Sequence, residues 1–188
     1  MSRIIDIYRT LMRRLLVVLL AALLAIMGAQ IVFRYGFNSS LIWAEETCRY
    51  LLIWVSFLGI ALAYERGEIA AIDLLRDALP PRAGLALAAI VNLLGAILCG
   101  VLAFYGYRYA SLAGGQPIPA LRFLLTDTFG AGASALAPRF FWVYAALPLG
   151  MAILGIRLLI DVATYASLMK SGGRAADIRL AGTPEADA

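Results

Sequence analysis

Apolar residues fill four stretches of this chain almost without a break, and short polar or charged clusters separate them. The stretches run over about 15–33, 41–64, 83–107 and 140–160. The first holds 19 residues from Leu15 to Phe33, about 28 Å as a helix, close to the ~30 Å hydrocarbon thickness of a bilayer. Gln30 is its only strongly polar member. In the second, the apolar run from Tyr50 to Tyr64 supplies only about 22 Å, so the helix has to continue back through the charged turn that precedes it. The third carries Asn92 as a lone amide, with Ala96, Gly100 and Phe104 at a spacing of four that would suit a helix contact. Phe140, Phe141, Trp142 and Tyr144 open the fourth as an aromatic belt, and Pro148 is expected to kink it.

The segments between and around these spans have a different periodicity. Ile4, Ile5, Tyr8, Leu11 and Met12 recur among Arg3, Arg9, Arg13 and Arg14, which predicts a short helix on the membrane surface before the first span. Ile69, Ile72, Leu75 and Leu79 recur at three or four among charges, predicting a second interfacial helix that ends at Pro80-Pro81. Asn38, Ser39 or Ser40 can cap the second span. Between Tyr109 and Arg139, GGQPIP must turn, and LRFLLTDTF is too short to cross, so it reads as an interfacial or re-entrant piece. From Ser171 onward the composition is that of a disordered tail. The pattern thus predicts an all-α integral membrane protein, four transmembrane helices plus interfacial amphipathic helices, with residues 1–170 as one domain and 171–188 as a tail.

Composition narrows the function. Of 188 residues, 63% are hydrophobic and 15% charged, well under the ~25% charged fraction of soluble domains. Arg13-Arg14 ahead of an apolar run could mark a cleaved leader, but the run continues past Gly28 and Ala29, which favours a retained span. Ala21, Ala25 and Ala29 form a small-residue stripe along it. The net charge of +4 comes from scattered basic residues rather than a patch, so nucleic acid is not an expected partner. Eleven Lys and Arg fall on the side of the termini and four on the other, which predicts cytoplasmic N- and C-termini. Cys48 and Cys99 lack metal-ligand spacing, histidine is absent, and no metalloprotease, phosphate-loop, nucleophile-elbow or haem-attachment motif occurs. No catalytic residue, metal or cofactor is therefore expected, and the chain is not read as an enzyme.

The charged turn is the unusual feature. Glu45, Glu46 and Arg49 stand at the mouth of the second span, where ionisable groups are costly and need partners. On a helix both acids can reach the one guanidinium, and the helix dipole favours acids in the first turns. That placement suits a scaffold better than a deep, unpaired proton-coupling carboxylate. Trp43 falls where interfacial aromatics usually sit.

Taken together, Trp43, Glu45, Glu46, Arg49, Gly59, Ala61, Arg66, Gly67, Asp73 and Leu74, with Pro148-Leu149-Gly150 in the last span, resemble the small membrane subunit of tripartite ATP-independent periplasmic (TRAP) transporters, the DctQ family. The resemblance covers most of Ile4 to Ile160 and is most specific from Trp43 to Asp73. It departs from the family at Ile69, where many members carry histidine, and in the longer Tyr109 to Arg139 connection. It implies a bacterial inner-membrane subunit of a sodium-driven transporter for organic-acid-type solutes. Such a subunit supports a large multi-span partner that moves as an elevator and helps receive a periplasmic solute-binding protein. Trp43, Glu45, Glu46, Arg49, Gly59, Arg66 and Asp73 would serve packing and partner contacts. The alternatives are a self-sufficient small four-span transporter and a membrane assembly factor or enzyme accessory subunit.

Overall fold

The computed structural model describes residues 2–39, 41–65 and 80–171. Its elements are α1 (Ser2–Gly36), α2 (Ile42–Glu65), α3 (Pro81–Ala113), α4 (Pro119–Phe129), a 3₁₀ helix (Ala131–Leu136), α5 (Phe141–Tyr144) and α6 (Ala146–Ser171). Among the described residues the only β pairing is an isolated bridge between Pro117 and Arg139. Four helical segments, Ile7–Gly36, Ile42–Tyr64, Ala83–Ala113 and Phe141–Met169, are long and apolar enough to cross a membrane. The four expected spans are present, and three of them exceed the lengths read from hydropathy.

The first of these extensions corrects the surface helix expected over Ile4 to Arg14. That segment is continuous with the first span, because nothing in RTLMRRLL breaks a helix. At 35 residues, α1 measures about 52 Å, well beyond the hydrocarbon thickness. At its far end Asn38 adopts a positive φ of 52°, a conformation asparagine tolerates better than most residues. The Ser39 N–H then donates to the Phe33 carbonyl at 3.1 Å. Asn38 therefore closes the first helix rather than capping the second.

Pro81 begins α3, where a missing N–H costs nothing, and the Gly84 N–H donates to the Pro80 carbonyl at 2.9 Å. In the last span the helix is interrupted at Ala145, between α5 and α6. Pro148 cannot donate to the Tyr144 carbonyl, so the expected disturbance falls one turn before the proline. The interfacial helix expected over Ile69 to Leu79 lies outside the described residues, as does the tail after Ser171.

The chain divides into two compact units. In the first, Met1–Leu62 with Leu102–Met151, glycine allows α2 and α6 to meet closely. A Cβ at Gly150 would lie 2.6 Å from the Phe57 carbonyl oxygen and 2.8 Å from the Phe57 Cβ. Gly106 likewise receives Leu147 and Pro148. α1 and α2 meet where the buried Cys48 thiol reaches the Leu23 carbonyl at 3.8 Å. None of the most apolar stretch of α1 is buried within the chain, and Ala21, Ala25 and Ala29 are exposed along it.

In the second unit, Ala63–Val101 with Ala152–Ala188, α3 and α6 pack through Gly95 against Leu158 and Gly155 against Cys99. Within the chain, the contact does not run along Ala96, Gly100 and Phe104 as their spacing suggested. Ala96 is buried, but Gly100 and Phe104 are exposed and a Cβ at Gly100 would meet nothing within 4 Å. Small residues at 95 and 99 turn the packed face by about one position, since each residue advances the helix by about 100°.

Candidate functional site

The charged turn lies in the first unit, on the opening turns of α2, with Glu45 in the first. The two acids have different partners. Glu45 pairs with Arg49 one turn on at 3.7 Å, and both side chains stand out from the chain, 75% and 67% exposed respectively. Glu46 turns inward instead. One carboxylate oxygen accepts the Tyr50 hydroxyl, and the other accepts the Ala120 N–H at 3.2 Å. The expectation that Arg49 gathers both acids is thus corrected to a single pair. Glu46 is held instead by the Tyr50 hydroxyl and by the N-terminus of α4.

The need for an acceptor at α4 follows from the local sequence. Ile118, at the N-cap of α4, supplies no side-chain acceptor, and Pro119 occupies the first turn. The free N–H groups of the first turn need acceptors from elsewhere. Glu46 answers one of them across 74 residues of chain, in the way a capping carboxylate does within one helix. Backbone bonds fix the rest of the excursion. The Ile118 N–H donates to the Pro138 carbonyl at 2.9 Å, Phe140 to Gln116 at 3.0 Å and Phe141 to Gly114 at 3.0 Å. An aromatic cluster backs the clasp: Phe140 stacks on Tyr144, Tyr50 meets the Phe140 ring edge-on, and Tyr109 meets Tyr144.

The remaining candidates divide among several surroundings. Trp43 is half-buried, and its carbonyl accepts the Thr47 hydroxyl at 2.7 Å. At Gly59 a Cβ would meet nothing within 4 Å, so this chain's own packing does not require glycine there. Arg66 and Asp73 lie outside the described residues. No group of three or more His, Cys, Asp or Glu suited to a metal ion occurs among the described residues.

A second polar cluster sits in the other unit, and the sequence showed only its parts. The Tyr64 hydroxyl lies 2.8 Å from an Asp161 carboxylate oxygen and 2.9 Å from the Asn92 amide oxygen. Arg157 approaches the other Asp161 oxygen at 3.4 Å. Asn92 is buried and Arg157 and Asp161 are half-buried. The four side chains tie α2, α3 and α6 together, the interhelical role expected of Asn92. Arg157 and Asp161 were legible as a pair four apart; Tyr64 was not, because its partners lie 28 and 97 residues away.

Comparison with known proteins shows the family. The model of the DctQ component of tripartite ATP-independent periplasmic transporters matches residues 23–167. The chain belongs to that family. A Haemophilus influenzae protein named as a TRAP transporter small permease is 36% identical over 81 residues, 43% of this chain and 50% of that protein. The sialic acid TRAP transporter small permease SiaQ of Vibrio cholerae is 33% identical over 49% of this chain and 53% of its own. The chain therefore spans about half the length of these curated relatives. The sialic acid TRAP transporter permease SiaT of Haemophilus influenzae is 32% identical over 130 residues, which are 69% of this chain but only 19% of that protein.

Proposed function

We propose that this chain is the fixed small subunit of a sodium-driven TRAP transporter. It holds a large multi-span permease chain in the inner membrane and helps to dock a periplasmic solute-binding protein. One observation carries the reading. Glu45 and Arg49 present an ion pair outward from a membrane-crossing helix, and neither side chain is covered by the rest of the chain. Ionisable groups at the mouth of a membrane-crossing helix are costly and usually partnered, so such a pair favours protein beside it. The uncovered small-residue stripe of α1 gives a second helix room for close approach. The match to a short part of the much longer SiaT fits a chain that works next to a large permease.

The sequence's basic residues support cytoplasmic termini in this arrangement. Relatives named for ectoine and for C4-dicarboxylate transport match with 28% identity each. One small-subunit architecture thus accompanies different solutes, in keeping with a support that leaves solute choice to its partners. Organic-acid-type solutes are the class proposed here. The Tyr64, Asn92, Arg157 and Asp161 cluster does not favour a self-sufficient transporter, because its acid is already paired and hydrogen-bonded.

Co-purification of the large permease encoded with this chain tests the reading. Glu45→Ala and Arg49→Ala should each lower its recovery severalfold, and to a similar extent, since each leaves one charge unpaired in the membrane. The exchanged pair, Glu45→Arg with Arg49→Glu, should recover part of it. Full recovery with both single variants would remove the pair from the interface.

A further inference from the structure

The excursion between α3 and α5 carries an exposed apolar surface of its own. α4 buries Ala120 and half-buries Leu121, Leu124 and Leu125. Its opposite side places Phe129, Arg122, Thr126, Phe123 and Asp127 around one arc, by the ~100° step of a helix. Phe123 is 68% exposed, Phe129 74%, and Leu136 in the following 3₁₀ helix 78%. Large apolar side chains rarely stand this far out together without a covering medium.

We propose that α4 and the 3₁₀ helix lie on the bilayer, with Phe123, Phe129 and Leu136 in the acyl boundary and Arg122 and Arg139 on anionic headgroups. Three observations favour lipid. First, the clasp from Gly114 to Phe141 ties this excursion by backbone hydrogen bonds to the ends of two membrane-crossing helices, and Glu46 ties it to the start of a third. Its 11 residues cannot cross the bilayer, but they begin where those helices leave it. Secondly, the charge is complementary: between Leu102 and Met151 the sequence holds Arg108, Arg122 and Arg139 against one acid, Asp127, and Glu46, which joins the excursion from α2, is taken up by Ala120 and Tyr50. Thirdly, a shallow concavity lined by Ser111, Gly115, Arg139 and Trp142 opens beside the clasp. A guanidinium and an exposed indole there match the chemistry of a phosphate headgroup above an acyl chain; the Ser111 hydroxyl is already donated to the Arg108 carbonyl at 2.8 Å. Interfacial helices bind through this combination of apolar area and basic charge. The assignment does not depend on which side of the membrane the excursion occupies.

The test uses p-benzoylphenylalanine at Phe123, and separately at Phe129, in the full chain expressed with its neighbouring genes and irradiated in intact membranes. The expected result is a lipid-sized adduct at both positions. In reconstituted vesicles of phosphatidylethanolamine with phosphatidylglycerol, adducts should be enriched at least twofold in phosphatidylglycerol over its share of the lipid. Arg122→Gln with Arg139→Gln should abolish that enrichment. A protein-sized adduct would assign the face to a partner chain, and no adduct would assign it to water; either overturns the proposal. Adducts that follow bulk lipid composition would overturn the headgroup contacts.

Discussion

Gly150 and Gly59 look alike in the sequence, each a glycine inside a membrane span, yet their surroundings differ completely. The backbone of α2 passes directly over Gly150, and the Phe57 carbonyl occupies the space a methyl group would need. Gly150→Ala must therefore push two helices apart, an overpacking change that typically costs about 1–3 kcal/mol. Gly59→Ala fills empty space in this chain. The apparent melting temperature of the purified chain in detergent should fall for Gly150→Ala and stay unchanged or rise for Gly59→Ala. Equal losses would mean that the close approach at Phe57 is not a packing contact of the folded chain. The same contrast shows what composition conveys about single residues. Small residues at helix spacing were legible as a type of contact, but the face they occupy was not. That face depends on helix rotation, which sequence periodicity leaves open when nearly every position is apolar.

At the scale of elements, the pairing of α2 with α4 explains more than the charged turn alone could. Glu46 stands on one helix and satisfies the N-terminus of another that has no acceptor of its own. Glu46→Ala removes that acceptor together with the partner of the Tyr50 hydroxyl. Loss of a capping side chain typically costs about 1 kcal/mol. Hydrogen exchange over Pro119 to Phe129 should therefore quicken about fivefold in Glu46→Ala, while Glu45→Ala leaves it unchanged. Identical exchange in the two variants would separate Glu46 from α4.

The four long helices were legible from hydropathy, whereas of the excursion only the turn and a piece too short to cross were legible, not its helix. The bounds of the long helices were less legible. The arginines of the first turns looked like an edge, yet arginine is a good helix former and α1 runs straight through them. The clasp was not legible at all, because its bonds join backbone groups of GGQPIP to those of LAPRFF and leave no side-chain pattern.

On the scale of the whole molecule, the account makes a claim about orientation and one about activity. In the proposed orientation, which rests on the bias of basic residues, both termini are cytoplasmic and the connections around Ser39 and 109–139 are outside. With Cys48 and Cys99 replaced by alanine, a membrane-impermeant thiol reagent applied from the periplasm should label Ser39→Cys and leave Ser171→Cys untouched. The opposite pattern would invert the topology.

The proposal that this chain does not transport solute by itself rests on how its polar side chains are partnered. Among the described residues, Asp161 is held by Tyr64 and Arg157, and the exposed Glu45 pairs with Arg49. The proposed support would contribute nothing alone and be required in company. The direct measurement is sodium-driven uptake of radiolabelled organic acids into vesicles reconstituted with this chain, its large permease partner and the solute-binding protein, omitting one component at a time. The account predicts uptake with all three, and background levels both without this chain and with this chain alone. Sodium-driven accumulation by this chain alone, or undiminished uptake in its absence, would contradict it.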